Sequence, residues 1–169
     1  MTILGVDPGY AILGWGIVEY YASRYRLLGC GAIETDKDAQ WTERLKTIYT
    51  GLEAIIESYR PDAGAIEELF WGSNQKTAIK VGEARGAAVL ACANSGIPVF
   101  EYTPLQVKQA LTGYGRADKH QIQEMVRTIL GLERAPRPDD AADAVAVAIC
   151  HANSSGVIES IERLKAAGK

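Results

Sequence analysis

Thr2-Ile3-Leu4-Gly5-Val6-Asp7-Pro8-Gly9 opens the chain with an apolar run that ends on a carboxylate and turns at once. A run this short, closed by Pro-Gly, reads as a buried strand with Asp7 at its end. Working outward, Gly14 to Tyr20 and Arg26 to Glu34 follow as strands with turn signals between them, which predicts an antiparallel meander. Leu45, Ile48, Leu52, Ile55, Ile56 and Tyr59 then recur at helical spacing, with Thr42 as N-cap and Pro61 beyond the end. A fourth strand runs from Ala63 to Glu67, a helix from Ser73 to Asn94, and a fifth strand from Ile97 to Tyr102. Shorter helices are predicted over Pro104–Leu111, Asp118–Leu130 and Asp140–Ala152, with a mobile loop at Gly113-Tyr114-Gly115. Asn153-Ser154-Ser155-Gly156 reads as the stop of the last helix, and Val157 to Ala167 as an amphipathic tail. The fold class is α/β, with a mixed five-stranded sheet and helices on both faces. Residues 1–153 form one domain and 154–169 a C-terminal tail.

Acidic residues stand at telling places in this frame. Glu67 and Glu68 close the fourth strand, and Asp140 and Asp143 lie three apart at the start of a small-residue helix. Neighbours in a strand point to opposite faces, so only one of Glu67 and Glu68 can join Asp7. Asp139/Asp143 and Asp140/Asp143 would each share a helical face, while Asp139 after Pro138 also suits an N-cap. Asp7 before Pro8-Gly9 has a plain role open to it as a turn residue. Like charges gathered in one cleft repel, and such a cluster calls for cations. Oxygen donors without His or Cys favour Mg²⁺ or Mn²⁺ over zinc, and such ions most often serve displacement at phosphorus.

The 169 residues suffice for one compact domain. No run approaches a membrane span, and Met1 leads into a strand without a signal peptide. Three widely spaced cysteines, Cys30, Cys92 and Cys150, read as reduced core thiols of a cytosolic protein. The net charge of -3 argues against a generic nucleic-acid coat, yet from Lys76 to Arg127 seven basic residues face only four acids. A basic middle beside an acidic cluster suits a phosphate-backbone substrate, although a solvated helical surface would look similar.

Five ordered motifs carry a resemblance: Gly5-Val6-Asp7-Pro8-Gly9, Ala65-Ile66-Glu67-Glu68-Leu69-Phe70, Gly82-Glu83-Ala84-Arg85-Gly86, Thr103-Pro104-Leu105-Gln106-Val107-Lys108 and Asp140-Ala141-Ala142-Asp143-Ala144. Together, over about residues 1–153, they resemble the RuvC-type crossover junction endodeoxyribonucleases of the ribonuclease H-like superfamily. That resemblance implies a central first strand with the fourth beside it. It also implies a homodimeric, Mg²⁺-dependent, cytoplasmic enzyme that resolves four-way (Holliday) DNA junctions by paired nicks, beside a branch-migration motor. Two Mg²⁺ ions per subunit are implied, with Mn²⁺ able to substitute. The family's acidic site falls on Asp7, Glu67, Asp140 and Asp143, and the pattern selects Glu67 over Glu68 and Asp140 over Asp139.

Phe70 matches a family position that can occupy a vacated base stack, although an aromatic after a strand more often tucks into the core. Trp71 has no counterpart and suits packing. Lys108 and Lys119 match basic positions near the scissile phosphate, Lys119 as a catalytic group, while Lys76 and Arg116 are expected to contact the backbone. His120 and His151 are too few and too separated to form a ligand set and read as structural. The helix from Ser73 carries Ala78, Gly82, Ala84, Gly86, Ala87, Ala88 and Ala91, which suits close packing on the sheet or on the same helix of a second subunit.

Three rivals keep parts of this reading. Another ribonuclease H-like nuclease could act on RNA or on an RNA–DNA hybrid. A sugar-kinase-like phosphotransferase needs two such lobes, and this chain has one. A non-catalytic DNA-binding module would have no use for four carboxylates that repel phosphate.

Overall fold

Five strands pair in the order β3-β2-β1-β4-β5, with β1 (Thr2–Asp7) at the centre. The computed structural model describes the backbone of residues 1–68 and 75–167 and the side chains of residues 1–68 and 78–156. Phe70 and Trp71, and the side chain of Lys76, lie outside the described residues. β2 (Ile12–Tyr21) and β3 (Arg24–Glu34) complete the antiparallel meander, each two residues longer at its start than the sequence suggested. β4 (Ala63–Glu67) runs parallel to β1, and β5 (Val99–Tyr102) parallel to β4.

Side-chain alternation along β1 sorts the core into two layers. Leu4 and Val6 join Leu13, Ile17 and Ile66 on one face, under α1 (Trp41–Tyr59) and α2 (Gln75–Asn94). Ile3 joins Val18 and Ala65 on the other, under α3 (Pro104–Thr112), α4 (Lys119–Ile129) and α5 (Asp139–Ala167). Helices therefore cover both faces. Ile48, Leu52 and Ile56 form the buried stripe of α1, whose end is a left-handed Arg60 donating its N–H to the Ile56 carbonyl, followed by Pro61.

Several boundaries differ from the sequence reading. α1 begins one residue before Thr42, and its N-cap is Gln40, which makes no side-chain cap bond. Gly113 caps α3 in the left-handed region, and after it the Tyr114 hydroxyl donates to Gln121 Oε1 at 3.1 Å. α5 does not stop at Asn153 but continues to Ala167. The residues that read as a stop are satisfied inside the helix. Ser154 Oγ donates to the Cys150 carbonyl at 2.9 Å, and Ser155 Oγ to that of Ala152 at 2.8 Å. Asn153 accepts from the Tyr25 hydroxyl and donates to the Ala110 carbonyl. Cys92 and Cys150 are buried, Cys30 is half-buried, and all three are free thiols. Among the described residues no helix is long and apolar enough to cross a membrane.

Candidate functional site

Val6 lies opposite Ile66 in the parallel β1–β4 pair, so the next residues, Asp7 and Glu67, end the two strands side by side. Alternation then decides their direction. Asp7 shares a face with Ile3, and Glu67 shares one with Ala65, both packed in the α5 layer. Glu68 is exposed, as expected of the residue that turns away.

Helix α5 brings the second pair of carboxylates. A Cβ on Gly5 would meet the Ala144 carbonyl oxygen at 2.0 Å, and one on Gly14 would meet that of Asp140 at 2.0 Å. The helix backbone therefore rests directly on the strands, a seat that only glycine permits. Gly14 pairs with Asp7 across the β1–β2 ladder, so the first turn of α5 descends beside Asp7. The sequence reading passed over these glycines; their spacing along one strand face, with Gly14 and Gly16 two apart, was the available signal.

Burial raises the Asp7 pKa to about 7, with the charges of Glu67, Asp143 and Asp140 pushing the same way and Lys119 opposing. Burial raises Glu67 as well, helped by Asp143 and opposed by Lys108 and Lys119. Asp143 is raised by burial, and its bond to Lys119 works against that. Asp140, rather than Asp139, is among the charges felt by Asp7. Asp139 is the first residue of α5 instead of its N-cap, and it pairs with Arg137 and Lys119.

The lysines are set by helix starts. Asp118 accepts from the Gln121 N–H at 2.8 Å while Gln121 Oε1 accepts from the Asp118 N–H at 2.9 Å, a capping box that fixes Lys119 as the first residue of α4. Lys119 Nζ reaches Asp143 Oδ2 at 2.8 Å and Asp139 Oδ2 at 3.9 Å, and the bond to Asp143 holds its pKa above the ordinary lysine value. A second capping box, Thr103 with Gln106, starts α3 and leads to Lys108, which lines a cavity of about 120 Å³ with Glu67 and Asp143. On the other side Asp140 borders a groove of about 470 Å³ with Gly9, Tyr10 and Lys80. Among the described residues no three carboxylates, as their side chains stand, enclose a single ion position. The donors nevertheless suit a hard cation: four carboxylates, no His or Cys, with Asp7 held protonated by its burial and by the neighbouring charges.

Three residues stand apart. Arg116 is exposed before α4, outside the cluster. His151 is buried, 2.7 Å from the Tyr102 hydroxyl, and stacks on Phe100, which bears out its structural role. His120 is exposed instead, on the surface of α4.

Residues 3–151 match the family described as crossover junction endodeoxyribonuclease RuvC. The chain belongs to that family. A crossover junction endodeoxyribonuclease RuvC of Alkaliphilus oremlandii is 58% identical over 159 residues, covering 94% of this chain and 97% of the relative. The Thermus thermophilus RuvC structure superposes with a TM-score of 0.86 at 41% identity, covering 93% of this chain and 96% of that one. The same RuvC in complex with Holliday junction substrate gives 0.86 at 38%, with the same coverage. The RuvC family is one of metal-dependent nucleases, and its ribonuclease H-like fold is the one found here.

Proposed function

We propose that this chain resolves four-way (Holliday) DNA junctions in homologous recombination and DNA repair, as a hydrolytic crossover junction endodeoxyribonuclease. The observation that carries the reading is the gathering of Asp7, Glu67, Asp140 and Asp143 where the ends of β1 and β4 meet the start of α5. Its support from kinship is membership of the RuvC family, in which the Thermus thermophilus protein is known with Holliday junction substrate. Nothing in the described residues favours the RNA or hybrid alternative.

Asp7, Glu67, Asp140 and Asp143 would hold divalent cations, two Mg²⁺ per subunit with Mn²⁺ able to substitute. When bound, these ions supply Lewis-acid activation for in-line displacement at phosphorus. Asp7 is the central ligand, because the other three all act on its charge. Lys119 offsets negative charge that builds on the phosphoryl group, from an ammonium already anchored by Asp143. Lys108, opposing Glu67, steadies the same phosphate. Phe70 would fill the stack left by an opened base pair, and Lys76 and Arg116 would contact backbone phosphates. A homodimer joined through α2, where Ile79 and Leu90 are exposed, would present two such sites to strands of like polarity. A branch-migration motor would act beside it in the cytoplasm, and residues 1–153 would suffice for the nuclease domain, with 154–169 as an appendage.

Incubation of four-way junction, linear duplex and RNA–DNA hybrid with the protein and Mg²⁺ tests this. The expected result is a pair of symmetric nicks in opposing junction strands, leaving 5′-phosphates. Preferential cutting of the hybrid would overturn the substrate assignment.

A further inference from the structure

His120, Gln123, Glu124 and Arg127 stand three, four and seven residues apart along one face of α4. The segment from Glu133 to Arg137 returns across that face, and between the two lies a cavity of about 610 Å³. Its walls hold three arginines, Arg127, Arg134 and Arg137, against two glutamates, Glu124 and Glu133. Arg127 is paired with Glu124 at 2.9 Å, and Arg137 with Asp139. Among the described residues Arg134 makes no ion pair or hydrogen bond. Gln123, only 9% exposed, has its Nε2 buried without a partner. With Arg127 and Arg137 already paired, Arg134 is the guanidinium whose donors are left for an anion.

The cavity joins the carboxylate site through charge. Arg137 bonds Asp139, Asp139 lies 3.9 Å from Lys119 Nζ, and Lys119 bonds Asp143 at 2.8 Å. A nucleic-acid strand that engages Lys119 carries further phosphates to either side, and His120, the residue after that lysine, lines the cavity. We propose that the cavity is a second phosphate-binding site, which takes a backbone phosphate of the junction DNA beside the strand being cut, with Arg134 as its principal contact. The proposal rests on the junction-resolving function.

The test is binding of a four-way junction, with divalent cation omitted, by the full chain across a range of KCl concentrations. Arg134→Glu should bind about tenfold more weakly, and its plot of log affinity against log salt should be shallower by about one unit, one phosphate contact having gone. Arg134→Gln should show the same shallower slope, and Arg134→Lys should retain the wild-type slope. Arg24→Glu, at the exposed start of β3, serves as the control and should behave as wild type. Wild-type affinity and slope in Arg134→Glu and Arg134→Gln would overturn the site. So would an equal loss in Arg24→Glu, which would reduce the effect to overall charge. Failure of the wild-type protein to cut junctions in Mg²⁺ would instead overturn the function on which the site depends.

Discussion

Leu4 and Val6 face α1 and α2, whereas Ile3, Gly5 and Asp7, alternating with them on the same strand, face α5. On the first side large apolar side chains fill the space between sheet and helices. On the second, α5 rests on Gly5 and Gly14 with no side chain between, and the room is left to carboxylates. One strand thus supplies a stabilising layer with its even residues and a reactive edge with its odd ones. Polar convergence is tolerated on the α5 side because the opposite layer holds the sheet together, a division often found where sites are built for function.

The largest expected effect comes from removing the central charge. Asp7→Asn should abolish junction cleavage and raise the melting temperature measured without metal, since a repelled carboxylate has gone. Millimolar Mg²⁺ should raise the wild-type melting temperature by mass action and the mutant's much less. Thermal melts of both proteins, with and without Mg²⁺, give the four values. A mutant that melts lower without metal, and gains as much from Mg²⁺ as wild type, would make Asp7 a turn residue and erase the contrast between the faces.

Much of that contrast was legible in the sequence. A carboxylate at the end of an apolar run is visible as text, and strict alternation leaves only one of Glu67 and Glu68 able to join Asp7. The central place of β1, with β4 beside it, came with the resemblance that the ordered motifs carry. The seat of α5 did not, because a glycine in a strand reads as a local weakness until the element that crosses it is known. The stop at Asn153 misled for a related reason. Asn, Ser and Gly signal a helix end only when their side chains compete with the helix backbone, and here Asn153 and Ser154 are occupied by Tyr25, Ala110 and Cys150. Asp139 was weighed as a cap or a ligand, and its partnership with Lys119 needed the third dimension.

Paired substitutions on the two faces sharpen the comparison further. Leu4→Ala, at a fully buried position on the apolar side, should cost about 2–5 kcal/mol of stability while sparing cleavage below the melting transition. Gly14→Ala should do the reverse in emphasis. Its Cβ would strike the Asp140 carbonyl oxygen, so α5 must lift and carry Asp140 and Asp143 away from Asp7. Cleavage should then fall far more than the loss of melting temperature accounts for. Equal ratios of lost activity to lost stability in the two variants would show that the faces are not specialised.

A smaller effect should appear in the pH dependence of stability without metal. The Asp7 pKa is about 7 in the folded protein against the ordinary 3.8. Between those values the folded state binds more protons at Asp7 than the unfolded chain, so stability should fall as pH rises from about 4 to 7. Raised values at Glu67 and Asp143 act in the same direction. Denaturant melts at steps of pH would follow the decline, and Asp7→Asn should flatten it. An identical slope in the mutant would place the responsible groups elsewhere.

The smallest effect separates two neighbours in the first turn of α5. Asp139 is partly exposed, and its 3.9 Å approach to Lys119 is secondary to the 2.8 Å bond from Asp143. Exposed ion pairs contribute about 0–1 kcal/mol, so Asp139→Asn should slow cleavage by about fivefold at most and leave the Mg²⁺ requirement unchanged. Asp140 acts directly on Asp7, and Asp140→Asn, as loss of a ligand, should slow cleavage by about 100-fold or more and raise the Mg²⁺ concentration needed for half-maximal rate. Rates measured across a Mg²⁺ titration distinguish the two. If Asp139→Asn shifted the Mg²⁺ midpoint and Asp140→Asn did not, the ligand would lie on the Lys119 side of the helix. The carboxylate edge would then be centred on Asp143 and Lys119 rather than on Asp7.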